Sequence, residues 1–203
     1  MIHPTSIIED GAQIGQNVKI GPFCYIKSCV TIEDNCELVS HVVLGSEPQS
    51  TEYVDPTGRV IIGKGSVLRE FVTIHRPCRA LTQIGKNCFL MAVTHVAHDC
   101  IVGDHVTIVN CSGLSGYCRV GNGTVISGLC HIHQHAVIGR YCMIGSSTLF
   151  KGTSPDGLVW VMSNKIASPL KINAVGLDRH NPPDRDAIET QAVEFLRNYA
   201  ANN

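Results

Sequence analysis

An apolar residue returns at every sixth position through most of the chain. From Ile2 the series runs Ile8, Ile14, Ile20, Ile26, Ile32, Leu38 and Leu44. It resumes at Ile62, Leu68 and Ile74. It starts again at Ile84 and continues through Leu90, Val96, Val102, Ile108, Leu114, Val120, Ile126, Ile132, Ile138 and Ile144 to Phe150. A period of six fits neither a lone helix nor a lone alternating strand. It is the hexapeptide signature of a parallel β-helix, in which each hexad forms one short side of a coil.

A second phase supports the first. Four residues after each key position the side chain is small, as at Cys24, Cys36, Cys88, Thr94, Cys100, Ser112, Cys118, Thr124, Cys130 and Cys142. Coils stack about 4.8 Å apart, so a branched aliphatic fills the middle of a face and a small residue fits near the corner. The predicted fold is therefore all-β, a β-helix over residues 1–150. Two segments break the phase, 46–60 (SEPQSTEYVDPTGRV) and 76–83 (RPCRALTQ), and read as loops leaving the tube, where function commonly sits. Residues 151–203 form a C-terminal segment with one helix, entered at Asn181-Pro182-Pro183-Asp184 with Asp184 as N-cap. Ile188, Ala192, Phe195, Leu196 and Tyr199 mark its apolar face, which must cover the open end of the tube or a neighbouring subunit.

Net charge is −1 over 203 residues, which argues against nucleic acid as a partner. No apolar run has transmembrane length, and no signal peptide precedes the first repeat at Ile2, so a soluble cytoplasmic protein with no membrane insertion is expected. Ten cysteines contain no C-x-x-C pair, and eight of them lie in the small-residue phase. They read as small buried hydrophobes with reduced thiols, not as metal ligands or disulfides.

Candidate chemistry concentrates in Thr94-His95-Val96-Ala97-His98-Asp99-Cys100. A carboxylate beside a histidine fixes its tautomer and raises its basicity, so His98 with Asp99 suits a general base. Three hexads per coil stack residues 18 apart, which places His95 over Gly113 and then His131, and His98 over Gly116 and Gln134. Two histidine clusters and a glycine-lined gap thus share one edge. The same residues leave a metal reading open, with His95, His98 and His133 as converging ligands.

The stretches LREFVTIHRPC (68–78) and LMAVTHVAHDCIVGD (90–104) resemble the acyl-(acyl carrier protein)–UDP-N-acetylglucosamine O-acyltransferases, the LpxA-type enzymes of lipid A synthesis. The opening 2–24, HIHQHAVIG (131–139) and INAVGLDRH (172–180) match in order. The resemblance implies a left-handed β-helix and a homotrimer with sites between subunits. It implies an acyl carrier protein or acyl-CoA donor and a UDP-sugar acceptor, with no cofactor and no metal. By motif, His98 corresponds to the base, Asp99 to its orienting partner and Gly116 to the oxyanion donor. Gln49, His95, His133, Gln134, Asn173 and Arg179 correspond to substrate-binding positions. Ser146 stands where long-chain members carry a glycine at the end of the acyl groove, which implies a shorter acyl group.

The chain departs from the family pattern at Tyr117, usually His, and at His135, usually Phe. It also departs at Ser50, Thr51 and Glu52, where Asp-Leu-Lys is usual, and at His180, where a second basic residue is usual. The family's helical C-terminal domain is longer. Two other function classes stand beside the acyltransferase: a metal-dependent hexapeptide protein of carbonic-anhydrase type, and a non-catalytic trimeric scaffold.

Overall fold

The computed structural model describes residues 1–51, 55–163 and 166–202. Each hexad contributes a strand of two or a few residues, of which one, or two in the longer strands, faces inward. Phe89–Leu90 and Thr107–Ile108 are examples, with Leu90 and Ile108 fully buried. Among the described residues the strands form three faces of eight, eight and nine strands, parallel throughout except for the last strand of the third. The first face carries Ile8, Ile26, Leu44, Ile74, Val96, Leu114, Ile132 and Phe150 inward. The second runs through Ile32, Ile62, Ile84, Val102, Val120 and Ile138. The third runs through Leu38, Leu68, Leu90, Ile108, Ile126 and Ile144. Together the inward side chains fill the tube as one core. The apolar period of six is thus the inner surface of a three-sided coil.

Coil joins coil through backbone hydrogen bonds between residues one turn apart, such as Ile101 N to Cys118 O at 2.9 Å and Gly103 N to Val120 O at 2.8 Å. Partners normally lie 18 residues apart, as in Val102 with Val120. The separation widens to Ile32 with Ile62 across the first excursion and to Ile62 with Ile84 across the second. Both excursions are shorter than the sequence indicates. Strands Val43–Ser46 and Arg59–Ile62 bracket the first, and Thr73–His75 and Leu81–Ile84 bracket the second. Ser46, Arg59, Val60, Leu81, Thr82 and Gln83 therefore belong to the walls of the tube.

The small residues at the corners are more than space-fillers. Their hydroxyls and thiols donate to a carbonyl 15 residues on in most cases. Ser112 Oγ meets Ser127 O at 2.7 Å and Thr124 Oγ1 meets Gly139 O at 2.8 Å. Cys130 Sγ meets Gly145 O at 3.0 Å, and Cys118 Sγ meets His133 O at 3.2 Å. Ser112 Oγ also accepts from Cys130 N at 3.0 Å. The cysteines are accordingly weak donors at a packed corner, and reading them as plain hydrophobes captures only their burial.

The coil does not end at Phe150. Thr153–Ser154 extends the second face and Leu158–Ser163 the third, before Ile166–Ile172 returns antiparallel. Two helices follow where one was expected: α1, Ala174–His180, and α2, Arg185–Asn202. Helix α2 covers the end of the tube. Ala192 is fully buried in the core, and Phe195 and Leu196 pack against it. Trp160 sits between Phe150 and Phe195, with ring centroids 5.0 and 6.1 Å away. Arg140 bridges Asp156 and Asp184 at 2.7 Å each and ties the start of α2 to the coil. Among the described residues no helix is long and apolar enough to cross a membrane.

Burial raises the thiol pKa values of Cys24, Cys29, Cys36, Cys130 and Cys142 and pushes Cys88 up to about 11. Cys111 is exposed, Cys29 is half-buried and the other eight thiols are buried. With a water-soluble disulfide reagent, no more than two of the ten thiols should react in the folded protein, and the rest only on unfolding. Rapid labelling of four or more would contradict this packing.

Candidate active site

The first face brings Thr73, His95, Gly113 and His131 into one outward column, each opposite the next. Thr73 Oγ1 lies 2.8 Å from His95 Nδ1 and fixes that ring. His75 packs edge-on against His95, with centroids 4.9 Å apart. Burial holds His75 down at about 4, with His95 and His98 adding to the shift, and burial also lowers His95. His75 and His95 are therefore neutral imidazoles near neutral pH, able to form hydrogen bonds without carrying charge.

His98 and Asp99 occupy the following corner. His98 Nδ1 lies 2.9 Å from Asp99 Oδ2, and both residues are buried, at 5% and 4% exposure. The carboxylate is held by the second excursion: Cys78 N donates to Oδ2 at 2.8 Å and Arg79 N to Oδ1 at 3.0 Å. An Nδ1–H donated to Asp99 leaves Nε2 as the bare nitrogen, an arrangement suited to removing a proton.

Gly116 lies one coil on. Its backbone is outside the left-handed region, so conformation does not demand glycine there. Space does: a Cβ at Gly116 would stand 2.6 Å from His98 Cε1 and Nε2. The Gly116 carbonyl accepts from His135 N at 3.0 Å, while its N–H makes no backbone hydrogen bond among the described residues. Tyr117 sets its ring edge-on to His98 at 5.1 Å and stacks on His135 at 4.8 Å with planes 6° apart. Two of the departures from the family pattern, Tyr117 and His135, thus touch each other, and Tyr117 borders His98.

A cavity of about 330 Å³ collects Gln49, His95, His98, Gly116 and Gln134, five of the expected residues, together with His131. His133 does not line it. It is exposed, with Nδ1 3.2 Å from the Gln134 carbonyl. Asn173 and Arg179 border a separate groove of about 410 Å³ on the third face, beside Met143 and Lys171. The Asn173 side chain is already engaged in folding. It caps α1 through Gly176 N at 3.2 Å and donates to Tyr141 O at 2.8 Å. Ser146 is exposed on the outside of the tube. Glu52 and Tyr53 lie outside the described residues.

His95, His98 and His133 are not brought together as a ligand set. Among the described residues the group that meets is Cys78, His98 and Asp99, whose ligand atoms lie within 4.8 Å of one another. Two of the three residues form the hydrogen-bonded pair itself, and the Cys78 thiol lies beside it. The contacts from Cys78, Arg79 and Thr82 escaped the sequence reading. The only signal for them was the broken phase at 76–83.

A family model for bacterial transferase hexapeptide (six repeats) matches residues 11–46 and 81–116. The acyl-(acyl carrier protein)–UDP-N-acetylglucosamine O-acyltransferase of Xylella fastidiosa is 34% identical over 97% of this chain and 82% of its own. That of Campylobacter concisus is 35% identical over 97% and 83%. Among solved structures, the UDP-N-acetylglucosamine acyltransferase of Bacteroides fragilis superposes with a TM-score of 0.80 at 27% identity, covering 96% of this chain and 83% of the other. The Acinetobacter baumannii protein gives 0.78 at 31%, covering 97% and 89%. On that similarity, sustained from the first coils into the C-terminal segment, the chain belongs to the acyl-(acyl carrier protein)–UDP-N-acetylglucosamine O-acyltransferase family.

Proposed function

We propose that the chain transfers an acyl group from an acyl carrier protein thioester to a hydroxyl or amine of a UDP-amino-sugar such as UDP-N-acetylglucosamine, in the cytoplasm, as a step of lipid A synthesis. The observation that carries the reading is the buried His98–Asp99 pair facing Gly116 in one cavity. His98 Nε2 takes the proton of the acceptor group. The acceptor atom attacks the thioester carbonyl, and the Gly116 N–H steadies the resulting oxyanion. The carbonyl re-forms, the C–S bond breaks, and His98 returns the proton to the departing thiolate. Gln49, His95 and Gln134 hold the substrate around the reacting atoms.

The outer surface suits an acyl chain and a subunit neighbour. Phe71, Val93, Leu129 and Leu149 are all about half exposed or more. Phe71, Val93, Cys111 and Leu129 follow one another up a single corner in left-handed backbone, at φ of 61°, 62°, 59° and 61°. A β-branched residue such as Val93 is strongly disfavoured in that conformation. An apolar strip so placed fits a buried environment in a homotrimer. The column of Asn110, Gly128 and Ser146 runs beside it, and Ser147 follows Leu129 in the strip itself, so the two serines stand side by side at its end. The Arg179 groove on a different face suits a site completed by the neighbouring subunit.

The direct test is thiol release from an acyl carrier protein thioester, dependent on added UDP-N-acetylglucosamine. His98→Ala should lower turnover by about 10²–10⁴ with an unchanged melting temperature; near-normal turnover would remove His98 from the mechanism. Gly116→Ala should displace the His98 ring and lower turnover by about 10², and a fully active alanine variant would contradict the packing of those two residues. The third outcome concerns donor length. A hydroxyl at the end of an apolar strip disfavours burying further methylenes, each worth about 0.8 kcal/mol. Wild-type protein should prefer shorter donors than Ser146→Gly does. Identical length profiles for the two would show that Ser146 does not limit the groove.

A further inference from the structure

Asp99 is held at every polar atom it has. Its carboxylate oxygens accept from Cys78 N and Arg79 N at 2.8 and 3.0 Å. Its own N–H donates to Thr82 Oγ1 at 2.9 Å, and its carbonyl accepts from Arg119 Nη1 at 2.5 Å. The residue sits in left-handed backbone at φ +58°, a conformation that is uncommon for non-glycine residues.

The Thr82 contact departs from the pattern of the coil. At the same corner one and two coils on, Tyr117 N donates to His98 O and His135 N to Gly116 O, both at 3.0 Å. Those are the ordinary rungs between coils. At Asp99 the rung is a side-chain hydroxyl, because the second excursion interrupts the ladder beneath it. Thr82 faces inward and is fully buried, and its partner on the preceding strand is the fully buried, apolar Val60. Arg119 is exposed on the second face and reaches back 20 residues to the Asp99 carbonyl.

We infer that Thr82 and Arg119 are positioning residues for the acyl-transfer base, and that residues 77–82 serve to hold Asp99 against His98. The inference rests on the reading of His98 as the base. Neither residue touches the reacting atoms in this scheme. Thr82 fixes the backbone entering Asp99, Arg119 fixes the backbone leaving it, and the carboxylate is left one orientation. That orientation sets the direction of His98 Nε2. A catalytic group held within a fraction of an ångström keeps its rate, and a small misplacement loses much of it.

The test uses the full-length protein in four variants: Thr82→Val, Thr82→Ser, Arg119→Met and His98→Ala. Turnover and KM are measured beside the downfield proton signal of His98 Nδ1–H, assigned by its absence in His98→Ala. Thr82→Val keeps the shape and removes the acceptor; kcat should fall about 10- to 100-fold with KM little changed, and the Nδ1 signal should broaden or move upfield. Thr82→Ser should recover most of both. Arg119→Met leaves the inward side chains of the tube unchanged, so it carries the test even if Thr82→Val does not fold; its kcat should fall several-fold with the same spectral change. If Thr82→Val or Arg119→Met keeps the wild-type signal and kcat while His98→Ala is inactive, the positioning role is wrong and the base assignment survives. If His98→Ala is itself active, the base assignment fails, and the inference that rests on it falls too.

Discussion

The hydrogen bond from one coil to the next, spanning 18 residues, is the constraint on which everything else depends. It requires each coil to have the same perimeter, and so it imposes the same three inward positions on every turn. An inward position of the wrong size would leave a void or force the wall apart, since a packed interior tolerates little of either. Corner residues face a second demand, because the backbone turns sharply there and leaves carbonyls inside the wall. Ser112, Thr124, Cys118 and Cys130 meet it with a hydroxyl or thiol short enough to fit.

So regular a stack has little room for chemistry within its own repeat. Departures from 18-residue spacing are where the chain gains freedom. The second excursion uses a few additional residues to turn the amides of Cys78 and Arg79 toward Asp99. The first brings Gln49 to the same cavity. The wall supplies alignment, and the excursions supply the contacts that the wall cannot make.

The inner face of the tube could be read almost residue by residue from the sequence, since Ile84 through Phe150 keep an unbroken count. The column of His95, Gly113 and His131 and the placing of His98 under Gly116 follow from the same arithmetic. Other parts were not legible for physical reasons. Ser154 occupies an inward place with a hydroxyl that bonds Trp160 Nε1 at 2.7 Å, so the apolar count stops although the coil goes on. Helix α1 has one buried side chain, Leu177, too little for a periodic signal. Asn173 matches a binding motif by residue type, but its amide is engaged on both sides. Thr82 carried no pattern, because its value lies in a contact with a residue 17 positions away.

The packing around His98 has a mechanical consequence. Asp99 holds one nitrogen, Tyr117 stands edge-on at 5.1 Å, and Gly116 lies so near that not even a methyl group fits between. Such a ring has no freedom to swing between two reactants. In the proposed reaction a single nitrogen must both collect the proton and deliver it, so the oxygen or nitrogen that gives it up and the sulfur that receives it must visit the same point in turn. The cavity of about 330 Å³ gathers its lining residues around that one point. The bulk of the two substrates must then extend away from His98 in different directions, like two ropes tied at one ring.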